Sequence, residues 1–302
     1  VSEAVKAGQR PYRRVMPQVE LADRLEHVKA MDRPIRALTK FLREKLPAGP
    51  VRDVLHGVFF GHPIHPVLAQ ASLGMLASAS VVDAVDGDPR AARALLAAGI
   101  GSALPTAAAG WTDWSMLHRE QQRVGFVHAA ANVTALALYS GSLVLRLRGH
   151  ERYGRALSYA GFTVAGLGAY LGGHMAYRQA AGPNHAESVA HLVPLGWHDL
   201  CRLRDLPDGR PVSRSLGYID LFVLREGEEV WVLADRCSHL AGPLHQGKVT
   251  EEQGELCVVC PWHGSTFNVE DGSVVHGPAT ARQPAFESRV RADGLVQVRP
   301  IT

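Results

Sequence analysis

The sequence predicts a multidomain fold, an all-α four-helix transmembrane bundle followed by an all-β domain. Three observations lead there. Between residues 57 and 178 charge thins out, and four stretches rich in Ala, Leu, Val and Gly each approach the ~20 residues a bilayer requires. From Gly196 onward the texture changes to short alternating runs punctuated by glycine. Inside that C-terminal region a pair of loops each combine one thiol with one imidazole, Cys237-Ser238-His239 and Cys260-Pro261-Trp262-His263.

The 302 residues suffice for more than one domain. A formal charge of +3 is too small to imply nucleic acid, and no basic stripe with interleaved aromatics is present. Of the four cysteines, Cys201 and Cys257 lie outside the paired loops. Both are expected as buried free thiols, as in a reducing compartment.

Residues 1–56 form a basic amphipathic tail, with 12 Lys/Arg against 7 Asp/Glu. No apolar run follows Arg13-Arg14, so the tail does not read as an export signal. Leu21, Leu25, Val28 and Met31 recur at helical spacing, as do Ile35, Leu38, Leu42 and Leu46. Two short helices broken at Pro34 are expected, lying either on anionic lipid or against the rest of the protein.

The four apolar spans are placed at 66–85, 91–111, 126–146 and 157–177, within a membrane domain of residues 57–178. A soluble bundle is the alternative reading of so Ala-rich a pattern. Trp111 and Trp114 sit at a span end, where an aromatic belt falls, and arginines cluster in short connections. The fourth span carries Gly161, Ala165, Gly168 and Gly172 at close-packing spacing. Four spans return the chain to its starting side, so tail and β domain share one face. Arginines near the spans (Arg90, Arg93, Arg146, Arg148, Arg152, Arg155) leave the positive-inside rule undecided, and the basic tail tips it toward a cytoplasmic face of the inner membrane.

On that shared face fall His62 and His65 before span one, Asp113 and His118 after span two, His128 and Asn132 in span three, and His174 in span four. Ionisable residues at membrane depth are functional candidates. His62, His65, Asp113, His128 and His174 therefore form a possible second site, for haem or another metal, or for quinone. The competing reading is structural, with imidazoles at helix ends satisfying backbone carbonyls.

Residues 179–195, with Gly182-Pro183-Asn184, read as a linker to the β domain at 196–302. Alternating runs at 217–224, 230–234, 256–259 and 288–298 suit an antiparallel sandwich with the paired loops at its tip. In an extended loop Cys237 and His239 project from one side of the backbone, and the Cys260 loop repeats the arrangement. Gly242, Gly247 and Gly264 let backbone pass close to a compact group. Zinc also takes two Cys and two His, but its sites pair like ligands as C-x2-4-C and H-x3-5-H, whereas each loop here mixes them.

The run Cys237-x-His239, Leu244, Gly247, Cys260-Pro261-x-His263-Gly264, Phe267, Gly272 and Gly277-Pro278-Ala279 resembles the Rieske family, in its ferredoxin and ring-hydroxylating-oxygenase branch. The resemblance covers residues 192–300. It implies a [2Fe–2S] cluster with Cys237 and Cys260 on the buried iron and His239 and His263 on the exposed one. It also implies that Gly277-Pro278-Ala279 shields the cluster, with Ser265, Trp262, Phe267 and Pro278 forming its surroundings. Where the respiratory branch carries a disulfide this chain has Gly242 and Trp262, and Phe267 replaces a tyrosine. Fewer hydrogen bonds to cluster sulfur imply a potential low in the Rieske range, about −150 mV to 0 mV. Gly61-His62-Pro63-Ile64-His65-Pro66, Asp83 and Gly110-Trp111-Thr112-Asp113 resemble a family of four-helix bacterial membrane proteins, which supports topology and no activity.

The expected function is membrane-anchored transfer of single electrons with a redox partner protein, a reductase or respiratory component, beside membrane lipid. The alternatives are a component of an oxygenase system or a redox or oxygen sensor. Only Ile301-Thr302 follows the last strand, leaving no room there for the iron domain of an oxygenase, and no output module of a sensor is recognisable.

Overall fold

The computed structural model describes residues 17–301; the Arg13-Arg14 pair lies outside them. Three short helices, α1 (Pro17–Leu25), α2 (Asp32–Lys45) and α3 (Pro50–His56), precede four long ones, α4 (His65–Ala84), α5 (Pro89–Trp114), α6 (Arg119–Leu147) and α7 (Glu151–Gly173). The expected break at Pro34 does not occur. Pro34 occupies the first turn of α2, where a missing N–H costs no helical bond, and the chain turns between Leu25 and Asp32 instead.

Each expected span overlaps one long helix, although the fourth, 157–177, runs past the end of α7 into a π-helical turn, His174–Arg178. Asp88 caps α5 by accepting the Arg90 N–H at 2.8 Å, and Pro89 opens its first turn. The Gln121 side chain accepts the His118 N–H at 2.9 Å where α6 begins. Helices α4, α5 and α6 are long and apolar enough to cross a membrane. The fourth, α7, is not among them: Glu151, Arg152 and Arg155 charge its first turns, and its glycines add little hydropathy.

The bundle core is small, built on Leu76, Ala79, Leu96, Ala135, Tyr139 and Ala165. Glycine brings the helices close. A Cβ at Gly99 of α5 would lie 2.7 Å from the Leu76 side chain of α4. By contrast, Val67, Val81, Leu104, Val133, Phe162 and Leu167 are exposed. Only 28%, 17% and 28% of the apolar windows of α4, α5 and α6 are buried, whereas a soluble bundle would turn such residues inward. Apolar outside and small inside is the pattern of helices that meet lipid.

The β domain has two antiparallel sheets. The larger runs β1 (His198–Arg202), β10 (Leu295–Pro300), β9 (Ala285–Val290), β4 (Glu229–Ala234), β3 (Ile219–Glu226), β2 (Val212–Leu216). The smaller runs β5 (Lys248–Glu252), β6 (Glu255–Val259), β7 (Thr266–Asn268), β8 (Val274–His276). The run expected at 288–298 is two strands, divided by the Gly294 turn at φ 77°. The stretch expected as a linker is packed structure: Ala186, Val189 and Val193 are buried with Leu221, Val223 and Phe286 in the sandwich core.

Candidate functional site

The loop from β4 to β5 carries Cys237 and His239, and the loop from β6 to β7 carries Cys260 and His263. Each is tied into a tight turn. The Cys237 N–H donates to Gly242 O at 2.9 Å, and Ala241, at φ 62°, donates to Cys237 O at 2.8 Å. In the second loop Cys260 N–H donates to Ser265 O at 2.8 Å and Gly264 N–H to Cys260 O at 3.1 Å. Gly264 sits at φ 79°, a left-handed conformation that glycine adopts without strain.

The two loops meet. A Cβ at Gly242 would stand 2.9 Å from Cys260 Sγ and 3.1 Å from the Trp262 ring, so only glycine lets the first loop lie on the second. Cys237 and Cys260 are buried with Phe222, Leu244 and Phe267. The His239 and His263 rings lie 5.0 Å apart between centroids, with their planes at 86°. Gln283, fully buried, braces the first loop. It accepts the Ser238 N–H at 2.9 Å and donates to the carbonyls of Ala234 and Arg236, both at 2.7 Å. Asp235 closes the same loop by accepting the His245 amide at 2.7 Å and facing its Nδ1 at 2.6 Å. Below the second loop, Ser265 Oγ accepts the Ala279 N–H at 2.9 Å, which ties it to the Gly277-Pro278-Ala279 loop.

Electrostatics prepare these groups as ligands. The hydrogen bond from Cys237 to Cys260 holds the proton on Cys237, whose burial also pushes its thiol well up, and brings Cys260 down to about 7. Burial, and then the neighbouring His263, hold His239 well below the usual imidazole range. Burial, and then His118 and Arg43, take His263 down to about 4. Both imidazoles are therefore neutral at pH 7 and keep a lone pair for a metal. Two adjoining thiols, two neutral imidazoles and the glycine-floored cradle between the loops fit a [2Fe–2S] group.

The helical domain abuts this tip. The His118 ring packs 5.5 Å from Trp262 and 5.8 Å from His263, edge to face. Asp53 of α3 accepts the Gly277 N–H at 2.9 Å and faces His276 Nδ1 at 2.8 Å. His185 N–H donates to Ser238 O at 2.9 Å. Sequence reasoning missed Asp53, His56, His185 and Gln283, whose partners lie far away in the chain.

The five residues of the possible second site are not held as one ligand set. His62 is exposed and stacks on Phe60, with centroids 5.7 Å apart. His65 Nδ1 donates to Thr106 O at 3.0 Å, and His128 Nδ1 to Gly168 O at 2.8 Å. Asp113 pairs with His56, 2.7 Å away. His174 is buried beside Glu26 (3.3 Å) and Asp23 (3.9 Å), the one His/Asp/Glu group among the described residues spaced to hold a metal ion. Arg178 already spans both oxygens of Asp23, at 2.8 and 2.7 Å, so that carboxylate is neutralised by a guanidinium. The His65 and His128 imidazoles thus each hydrogen-bond a carbonyl of a neighbouring long helix.

A β-sandwich carrying two mixed Cys–His loops at its tip defines an iron–sulfur protein of the electron-transfer class. Residues 196–287 match the Rieske [2Fe-2S] domain, and residues 61–184 match a predicted membrane protein family, DUF2231. The chain is 31% identical over 102 residues to the anthranilate 1,2-dioxygenase ferredoxin subunit of Burkholderia cepacia, covering 34% of this chain and 90% of that protein. It is 33% identical over 104 residues to ferredoxin CarAc of Metapseudomonas resinovorans, covering 34% and 92%. It is also 26% identical over 94 residues to apoptosis-inducing factor 3 of Mus musculus, where the match covers 31% of this chain and spans only 15% of that protein's length. The chain belongs to the Rieske [2Fe-2S] family, joined to a DUF2231 domain. Membership implies a [2Fe–2S] cluster and a ferredoxin type of electron transfer.

Proposed function

We propose that this chain is a membrane-anchored electron carrier that takes one electron from a donor protein and passes it to a membrane or soluble acceptor. Cys237 and Cys260 would hold one iron of the cluster, and His239 and His263 the other. The cluster supplies a one-electron couple when bound. The chain's own role is to exclude water, hold two imidazoles neutral and fix both loops through Gln283, Asp235 and Ser265. Helices α4 to α7 anchor the domain in the inner membrane, with the N-terminal helices and the Rieske domain on the cytoplasmic side. The donor would be a reductase or respiratory component, and the matches to a dioxygenase ferredoxin subunit and a second ferredoxin favour delivery of electrons over oxygenation by this chain.

The observation that carries the reading is the junction itself. His118, at the turn between α5 and α6, packs on His263, so the imidazole end of the site faces the anchor. Detergent-purified protein should contain equal iron and acid-labile sulfide and show the broad visible bands of an oxidised Rieske cluster, bleached by one electron. Zinc in place of iron and sulfide would defeat the ligand assignment. Partition of the full chain into the soluble fraction without detergent would defeat the anchor alone.

A further inference from the structure

Helix α3 carries an arginine, Arg52, that is only 8% exposed. Its Nε is buried without a hydrogen-bond partner among the described residues, and no carboxylate there bonds to its guanidinium. A buried cation with no counter-charge is unfavourable, so the position calls for an anion. Two more guanidiniums stand close by, around the turn of residues 115–118 that joins α5 to α6. Arg43 of α2 donates from Nε and Nη2 to Ser115 O, at 3.2 and 2.7 Å. Arg119 opens α6 directly after the turn. His56, one helical turn beyond Arg52, ties α3 to Asp113 at 2.7 Å, just before it. Partial burial, and then the neighbouring Arg52 and Arg119, hold the Arg43 guanidinium below its usual value. The nearby carboxylates are engaged elsewhere: Asp53 by Gly277 and His276, Asp113 by His56, and Asp32 by Arg123.

Planar guanidinium forks match the oxygens of a phosphate group better than any other common anion except a carboxylate, and a phosphate has oxygens enough for three of them. We propose that Arg43, Arg52 and Arg119 bind one phosphate group, carried by the headgroup of an anionic lipid in the leaflet on the Rieske side. The guanidinium nitrogens not spent on Ser115 O or Gln122 Oε1 remain for its oxygens. The lipid source rests on the membrane-anchored reading, whereas the phosphate chemistry does not.

Two observations favour a lipid over a free ion. The turn closes two of the apolar helices beside Trp111 and Trp114, whose rings meet edge to face at 5.0 Å, and an aromatic pair at a span end marks the depth of the headgroups. On α3 itself and in the turn after it, Val51, Val54, Phe59 and Phe60 are exposed, an apolar surface next to the cations that an acyl chain would cover. A free phosphate would leave that surface bare.

The test uses the cluster-loaded full chain in uncharged detergent and phosphate-free buffer. The probes are inorganic phosphate and, by native mass spectrometry, phosphatidylglycerol against phosphatidylcholine. Wild type should retain phosphatidylglycerol in preference, inorganic phosphate should compete for it, and each should raise the unfolding midpoint. Arg52→Met should bind both probes at least about tenfold more weakly, the loss of one charge-assisted hydrogen bond. Without either probe, Arg52→Met should unfold at the wild-type temperature or above it, because an unpaired buried charge has gone. A lower midpoint together with unchanged binding would make Arg52 a packing residue and overturn the proposal. Should Arg52→Met fail to fold, Arg119→Gln reads the same loss of binding, and binding equal to wild type would again overturn it. Binding of inorganic phosphate with no preference for phosphatidylglycerol would uphold the phosphate site and overturn its lipid source. A chain that proves soluble without detergent yet binds inorganic phosphate through Arg52 would remove the anchor and keep the site.

Discussion

The Asp53 carboxylate in α3 accepts the Gly277 amide at 2.9 Å, joining two residues 224 positions apart in the chain. Its second oxygen faces His276 Nδ1 at 2.8 Å. One side chain of the helical domain thus holds the loop of Gly277, Pro278 and Ala279, and Ser265 holds the same loop from within the Rieske domain at Ala279. The surroundings of the cluster site are therefore built by both domains.

Asp53→Ala should loosen that loop. A hydrogen bond to a charged group is worth about 1.5–3 kcal/mol, and the Asp53 side chain is only 15% exposed. Amide exchange at Gly277 should accelerate by the corresponding factor, and Asp53→Asn, which keeps an acceptor, should show a smaller change. Equal exchange in wild type and Asp53→Ala would mean the Rieske domain closes the loop unaided.

Ser265→Ala should lower the reduction potential. Ser265 Oγ accepts the Ala279 amide, and its own proton would remain to donate to sulfur of a bound cluster. Donors to cluster sulfur raise the potential, and Phe267 offers none. A redox titration followed in the visible checks the direction; an unchanged or higher potential contradicts it.

Legibility in the sequence follows chain distance. Each ligand loop declares itself because its thiol and imidazole are two or three residues apart, and the four long helices show in composition alone. The pairs His56–Asp113 and Asp53–Gly277 carry no such signal, since neither residue type nor spacing marks partners 57 and 224 positions apart. Pro34 misleads as a break because proline is tolerated in a first turn, and nothing local distinguishes a first turn from an interior one. The Gly-Pro-Asn start of residues 179–195 suggests a linker, although Ala186, Val189 and Val193 hold an apolar spacing that fits their burial in the sandwich core. His174 reads as one of a membrane set, yet Asp23 and Glu26, three apart on the N-terminal helical segment, are the visible hint of its partner.

Acid should release the N-terminal helices before it unfolds the rest. The Arg178 hydrogen bond holds the Asp23 carboxyl below its ordinary 3.8, and Arg123 does the same for Asp32. A carboxylate with a depressed folded value contributes stability that is fully present above the unfolded value. The contribution fades as pH falls from about 4 through the folded values. Arg123 reaches both Asp32 oxygens, at 2.8 and 2.9 Å, and the Glu26 carbonyl at 2.6 Å. Protection factors across residues 20–45, taken relative to the intrinsic exchange rate at each pH, should therefore fall below about pH 4 and stay flat from pH 5 to 7. Asp32→Asn should bring the acid behaviour to neutral pH.

The far end of the bundle is closed by a buried ion pair, and its two halves should respond very differently to removal. Arg146 of α6 is 0% exposed and Asp83 of α4 is 2% exposed. Two hydrogen bonds join them, at 2.9 and 2.5 Å, and Arg146 Nε donates to Ser142 Oγ at 3.1 Å. Gly154 of α7 makes the room: a Cβ there would stand 2.5 Å from Arg146 Cγ. Glu151 lies 3.6 Å from Arg146 and Arg155 lies 3.8 Å from Asp83, both half-buried at the rim of the pair. Removing one inner partner leaves a buried charge with only that rim partner, at a cost of up to about 3–5 kcal/mol, whereas replacing both inner residues with apolar side chains of similar volume is about neutral. Asp83→Ala alone should therefore lower the unfolding midpoint in detergent sharply, followed by far-ultraviolet circular dichroism. Asp83→Leu combined with Arg146→Met should recover most of the loss. If the double variant lost the sum of the two single losses, the pair would be contributing through its individual contacts and not through mutual charge compensation.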